Sequence, residues 1–218
     1  MLGPPSLQPL SIGKELKGDD DNQQGTADLK TMTLTEHADV VDPDRLPARG
    51  KYLRYYLLGM ADGEGCFTIS IKKQASARFG WVLDPIFHVT QHRDHRAVLE
   101  LFRRELRCGK IIVKHGQPET LQYVVQNRRE IREKVLPFFH RYKPIVKTEE
   151  FRKFAEIVEA LEAGQHHDLN RFKVLLATAY TMNYEGKQRR RPLFELVDDL
   201  EAQTPQRLQA RRPSSEEG

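Results

Sequence analysis

The 218-residue chain carries 35 Lys/Arg and 31 Asp/Glu, is 39% hydrophobic and 30% charged, and has a mean hydropathy of -0.63. No apolar run approaches the ~20 residues of a membrane-spanning helix, so no membrane partner is expected. Charge is unevenly placed: residues 1–50 hold five Lys/Arg against nine Asp/Glu, net -4, and residues 51–218 hold 30 against 22, net +8, an excess that favours a polyanionic partner.

Cys66 and Cys108 stand outside any C-x-x-C pair and cannot make a disulfide framework, so they are expected as reduced core thiols of an intracellular protein. The N-terminus lacks the basic-then-apolar layout of a secretory signal, and its acidity argues against a transit peptide, which leaves cytoplasm or nucleoid as the expected location.

In chain order, residues 1–50 are rich in Pro, Gly, Asp and Gln and read as an acidic, disordered leader, with a weak apolar set (Leu29, Met32, Leu34, Val40) for a short helix within 28–41. Residues 51–202 read as one folded domain. Tyr52–Asp62 is a helix stopped by Gly63-Glu64-Gly65. Cys66–Gln74 alternates Phe67, Ile69 and Ile71 against Thr68, Ser70 and Lys72, the period-two pattern of a half-buried strand, and Asp84–Gln91 forms its hairpin partner. His95–Arg107 has helical spacing, with Gly109 placed to end it. Lys110–His115 and Leu121–Gln126 make a second hairpin across Gly116-Gln117-Pro118-Glu119. Helices follow at Arg128–Phe139, disturbed near Pro137, then Thr148–Leu161, Asp168–Tyr184 and Leu193–Ala202. Residues 203–218 read as a disordered tail. The order α-β-β-α-β-β-α plus further helices predicts an α+β fold: one antiparallel sheet with helices on one face and the other face free for a ligand.

The stretch Leu57-Leu58-Gly59-Met60-Ala61-Asp62-Gly63-Glu64-Gly65 concentrates the chemistry. Gly59 and Gly63, four apart, share a helix face on which a second helix could approach closely. Glu64 would end that seam, and two symmetric carboxylates suit divalent cations over a phosphodiester. A Gly-x-x-x-Gly with flanking acids, taken alone, is an ordinary helix end.

This nonapeptide resembles the defining motif of the LAGLIDADG homing endonucleases. The likeness continues through Cys66-Phe67-Thr68-Ile69, Phe87-His88-Val89-Thr90-Gln91 and Leu136-Pro137-Phe138-Phe139 to Lys147, over roughly residues 52–163. The resemblance implies the αββαββα fold of that family and, since one motif copy is present, the homodimeric type, with Leu57, Gly59, Met60, Asp62 and Gly63 at the motif interface. It implies Glu64 as catalytic metal ligand for Mg²⁺, Gln91 and Lys147 as catalytic polar residues that order water and compensate charge, and Asp62 as a structural acid that satisfies backbone donors at the turn.

Alternation then supplies the double-stranded DNA face: Thr68, Ser70, Lys72, Gln74, His88, Thr90, Lys110, Lys114 and Gln122, with Lys72, Lys73 and Lys114 also available to phosphates. The implied function is a Mg²⁺-dependent DNA endonuclease that hydrolyses both strands of a long, partly palindromic target. The alternative is a cleavage-inactive nucleic-acid-binding protein on the same scaffold, an RNA maturase or a DNA-binding regulator. An intron-encoded member could also act in an organelle.

His88, His92 and His95 make a poor zinc set, being split between strand and turn with no cysteine. His166-His167 is read as a solvated turn, Tyr52, Tyr55 and Tyr56 as packing residues of the first helix, and Gln188–Arg191 as either a solvated basic surface or a phosphate contact.

Overall fold

Residues 50–185 and 191–209 are described by the structure, a computed structural model. The expected leader, most of the Gln188–Arg191 run and the last residues of the tail lie outside the described residues. The elements are α1 (Gly50–Glu64), β1 (Gly65–Lys73), β2 (Trp81–His92), α2 (Arg96–Leu106), β3 (Lys110–Lys114), β4 (Gln117–Val125), α3 (Arg128–Glu130), α4 (Leu136–Arg141), α5 (Thr148–Glu162), α6 (Leu169–Tyr180), α7 (Met182–Glu185) and α8 (Leu193–Gln209).

Several boundaries differ from the sequence reading for local reasons. α1 runs through Gly63 to Glu64 and passes straight into β1. α2 ends on Arg107 in the left-handed region (φ 52°) rather than at Gly109. β4 begins at Gln117, so the second hairpin turns on His115 and Gly116, the latter at φ 72°. A π-turn at Ile131–Val135 joins α3 to α4, with the Leu136 N–H bonded to the Ile131 carbonyl immediately before Pro137, which has no N–H to donate. α8 continues to Gln209, seven residues beyond the expected stop and into the segment read as tail. Among the described residues no helix is long and apolar enough to cross a membrane.

The four strands form one antiparallel sheet in the order β1-β2-β4-β3. Register from Gly65↔Val89 to Lys73↔Trp81 puts Phe67, Ile69, Leu83, Phe87 and Val89 on one face, where all are buried. Phe67 sits at the centre of that face, with ring centroids 5.1 Å from Phe87, 4.9 Å from Phe139 on α4, and 5.3 and 5.4 Å from Phe151 and Phe154 on α5. Phe102 on α2 stacks on Tyr123 at 5.8 Å. Each such pair adds about 0.5–1.5 kcal/mol beyond its buried area. The helices therefore hold one face of the sheet through aromatic rings, and the other face keeps its side chains half-exposed. The outer edge of β1 is clasped by Asn183 of α7, whose Nδ2 donates to the Phe67 carbonyl at 3.1 Å, which denies that edge to another strand.

One reciprocal contact fixes the end of α1. The Asp62 carboxylate accepts backbone N–H bonds from Ile145 (2.8 Å), Val146 (2.9 Å) and Lys147 (2.9 Å) in the segment before α5. In return Lys147 Nζ donates to the carbonyls of Asp62 and Gly63, the latter at 3.0 Å. The donors that Asp62 satisfies are thus 83 to 85 residues away rather than at its own turn. Partial burial works against its charge, yet the three N–H groups and the Lys147 ammonium outweigh it and hold its pKa below the ordinary carboxylate range.

A carboxyl with a depressed folded-state pKa stabilises fully above its unfolded pKa, near ~4, and loses that contribution as pH falls through the folded value. Asp62→Ala is therefore expected to cost about 1–2 kcal/mol at neutral pH, and the gap to the parent protein should shrink below about pH 4. Urea unfolding at the two pH values checks this, and a gap independent of pH would refute it.

Candidate active site

α1 has two faces. Leu53, Leu57 and Ala61, at i, i+4 and i+8, are buried against the sheet. Leu57 is therefore core, not part of a surface open to a second chain, because the apolar stripe of a helix on a sheet turns inward. Met60 packs partly against the same core. The opposite stripe carries Tyr52 (85% exposed), Tyr55 (52%), Tyr56 (44%), Gly59 and Gly63. Of the three tyrosines, read from the sequence as packing residues of the first helix, Tyr55 packs edge-on against Tyr142 with ring centroids 5.5 Å apart, and all three extend the glycine stripe toward solvent. A Cβ added at Gly59 or Gly63 would meet nothing within 4 Å, so no contact among the described residues requires either glycine.

The chain turns from helix to strand without a loop, and Gly65 makes this feasible: a Cβ there would run into the Ala61 carbonyl. Glu64 is left at the tip of the helix, exposed, with no hydrogen-bond or ion-pair partner among the described residues. Lys147 places its ammonium on the carbonyls of the two preceding residues, where helix carbonyls lack intrahelical partners and positive charge complements the helix dipole. Since β1 pairs Gly65 with Val89, Gln91 lies two positions further along β2, level with the end of α1. Gln91 is half-buried and pairs with Leu121 of β4. Cys66 follows at once. Burial raises its thiol pKa, Lys147 opposes this and Glu150 adds to it, and its Sγ lies 3.7 Å from Asn183 Oδ1.

A divalent cation of the Mg²⁺ type wants hard oxygen ligands and keeps several waters. Glu64 meets that requirement with one unpaired carboxylate. Among the described residues no three His, Cys, Asp or Glu side chains converge on one point. The donor set fits a cation shared with a second copy and a phosphate rather than a cage within one chain.

The open face of the sheet carries Thr68, Ser70, His88 and Thr90, all half-exposed. Gln122 Nε2 donates to Thr90 Oγ1 at 3.2 Å, which ties β4 to β2 on this face. Lys110, paired in register with Val124, is exposed. Burial, and then the Lys114 charge, lower the His88 pKa, so at neutral pH the ring carries one donor and one acceptor nitrogen. Lys72 is bound to Asp84 Oδ2 at 2.9 Å, so its charge is already paired. Gln74 lies beyond β1 in the hairpin turn, with its Nε2 on Ser76 Oγ at 2.9 Å. Lys73 points to the helical side, 3.1 Å from Asp199 of α8, and is not on the open face. Alternation put Ile86 on this face with His88 and Thr90, and the structure adds Asp84 and Ile112. Their positions follow from the register Ser70↔Asp84, Thr68↔Ile86 and Ile112↔Gln122.

Residues 57–158 match the LAGLIDADG endonuclease family. The chain is 36% identical over 120 residues to DNA endonuclease I-CeuI of Chlamydomonas moewusii, spanning 53% of this chain and about half (55%) of that protein's length. It is 30% identical over 149 residues to homing endonuclease I-ApeII of Aeropyrum pernix, covering 66% of this chain and 88% of that one. Its fold is similar to the archaeal intron-encoded homing endonuclease I-Vdi141I complexed with DNA, with a TM-score of 0.64, 36% identity, and coverage of 68% and 94%. With one helix-to-strand motif, a four-stranded antiparallel sheet carrying its helices on one face, and these relatives, the chain belongs to the LAGLIDADG endonuclease family.

Proposed function

We propose that this protein is a Mg²⁺-dependent endonuclease that works as a homodimer, joined along α1, and hydrolyses both strands of a specific, partly palindromic DNA site. The observation that carries the reading is the arrangement at the end of α1. An unpaired Glu64 carboxylate stands beside an ammonium held on the helix carbonyls, at the end of a stripe whose glycines have open space before them. Close approach of a second α1 along Gly59 and Gly63 brings two Glu64 carboxylates together. Two copies also supply two sheets, each suited to one half-site.

Glu64 from each chain would hold the cation, which supplies Lewis acidity and an acidified water when bound. The residues of the chain do the rest. Lys147 commits two of its three N–H donors to the carbonyls of Asp62 and Gly63 and keeps the third for a phosphate oxygen or a water. Gln91, with an amide that both donates and accepts, would orient a water near the same helix end. On the sheet, Thr68, Ser70, His88, Thr90 and Gln122 offer donors and acceptors to base edges, and Lys110 and Lys114 offer charge to phosphates. The archaeal relative's description as intron-encoded supports an intronic origin, with the intron-less allele as substrate.

Two outcomes test the reading. Glu64→Gln should abolish cleavage of a junction substrate with Mg²⁺ and leave its binding in a gel-shift assay intact. Undiminished cutting would remove Glu64 from the metal site, and binding without cutting by the parent protein would favour the cleavage-inactive alternative. Gly59→Ala should raise the stability of the isolated chain by up to about 1 kcal/mol, because alanine is the better helix former, yet weaken self-association in sedimentation velocity. A dimer unaffected by Gly59→Ala would place the interface elsewhere.

A further inference from the structure

Among the described residues, the exposed large apolar side chain on the open face of the sheet is Ile112 of β3, which is 36% exposed. A single exposed isoleucine is ordinary on a protein surface, so exposure alone carries nothing. Its surroundings do. Lys110 stands two positions away on the same face of the strand, exposed. Lys114 stands on the other side, and its charge reaches His88 of the open face. Across the ladder Ile112 is opposite Gln122, and Gln122 is opposite Thr90, so the three form one row over β3, β4 and β2. Side chains directly opposite have their Cβ atoms about 4.5–5.5 Å apart. Gln122 Nε2 donates to Thr90 Oγ1 at 3.2 Å, which fixes the plane of the amide. One amide N–H and the carbonyl oxygen are then left without a partner among the described residues.

The pair has a counterpart on the major-groove edge of DNA. An amide with one N–H and its oxygen to spare matches adenine, donating to N7 and accepting from the N6 amine. Guanine would present two acceptors, N7 and O6, to that single N–H. The other end of an A·T edge is the thymine 5-methyl group, which suits a hydrocarbon side chain. A base amine or carbonyl pressed against Ile112 instead would lose its water and gain no hydrogen bond.

We infer that Ile112 and Gln122 together read one A·T pair in each half-site, Gln122 on the adenine and Ile112 on the thymine methyl, with Lys110 and Lys114 on the flanking phosphates. The assignment rests on the reading of the sheet as a DNA-binding face, and it adds the identity of one base pair.

Full-length protein without added divalent cation would be used to select binders from duplexes of randomised sequence. The selected duplexes are expected to share an A·T pair at one position of each half-site, and selection with Ile112→Ala or Gln122→Ala should relax that position and leave the others unchanged. Synthetic duplexes of the selected sequence then test single groups with the parent protein, so the result does not depend on how a variant folds. Uracil at that thymine removes only the methyl group and should weaken binding about fourfold. 7-Deazaadenine at the adenine removes the N7 acceptor and should weaken it about fivefold. Ile112→Ala should lose the response to uracil and keep the response to 7-deazaadenine. Equal affinity for the thymine and uracil duplexes, equal affinity for the adenine and 7-deazaadenine duplexes, or a selected sequence with no such A·T position would overturn the assignment and leave the DNA-binding face standing. A parent protein that enriches no sequence would overturn both.

Discussion

The exchange between Asp62 and Lys147 is the contact on which the geometry of this protein turns. α1 gives up its carboxylate to three N–H groups ahead of α5, and the same segment returns an ammonium to the carbonyls that end α1. A helix end normally disposes of its orphan carbonyls in a left-handed cap or in water. Here α1 runs without a loop into β1 through Gly65, so no left-handed cap forms. The lysine replaces the cap, and its charge suits the negative end of the helix dipole. Glu64 is thereby left at the tip of a helix end that the clasp fixes.

Two surfaces with opposite demands grow from this point. On α1 the Leu53–Leu57–Ala61 stripe is committed to the core, which leaves the tyrosines and glycines facing out. On the sheet the phenylalanine face is closed by α4 and α5, which leaves a polar face with a few apolar members such as Ile86 and Ile112. Each element is two-sided because its period, 3.6 or 2, separates its residues cleanly. An exposed helix face and an open, polar sheet face adjoin the α1–β1 junction that carries Glu64.

Periodicity made much of this legible. The α-β-β-α-β-β-α order, the hairpin pairings and the inward placement of Phe67, Ile69, Phe87 and Val89 follow from periodicity, and the motif singles out Glu64. Other readings failed where alternation does not show a side chain's partner or where a strand stops. Lys73 looked like Lys72, but Asp199 of α8 draws it to the helical side. Lys72 looked free, but Asp84 on the neighbouring strand occupies it. Gln74 fell out of the alternation because the hairpin turn begins one residue early. The tyrosines of α1 were read as packing residues, and the structure leaves each of them largely exposed, since spacing tells which residues share a face and not which face is covered.

The sequence by itself determined the class of fold, the single copy of the motif, and the residue types that can act at the end of α1, because local period and turn chemistry are written in neighbouring residues. Only the tertiary structure decided that Asp62 serves a segment more than 80 residues away, that Lys147 caps α1 beside Glu64, and which cations on the sheet remain unpaired. Those outcomes depend on side chains brought together by the aromatic core, and no window of the chain contains both partners.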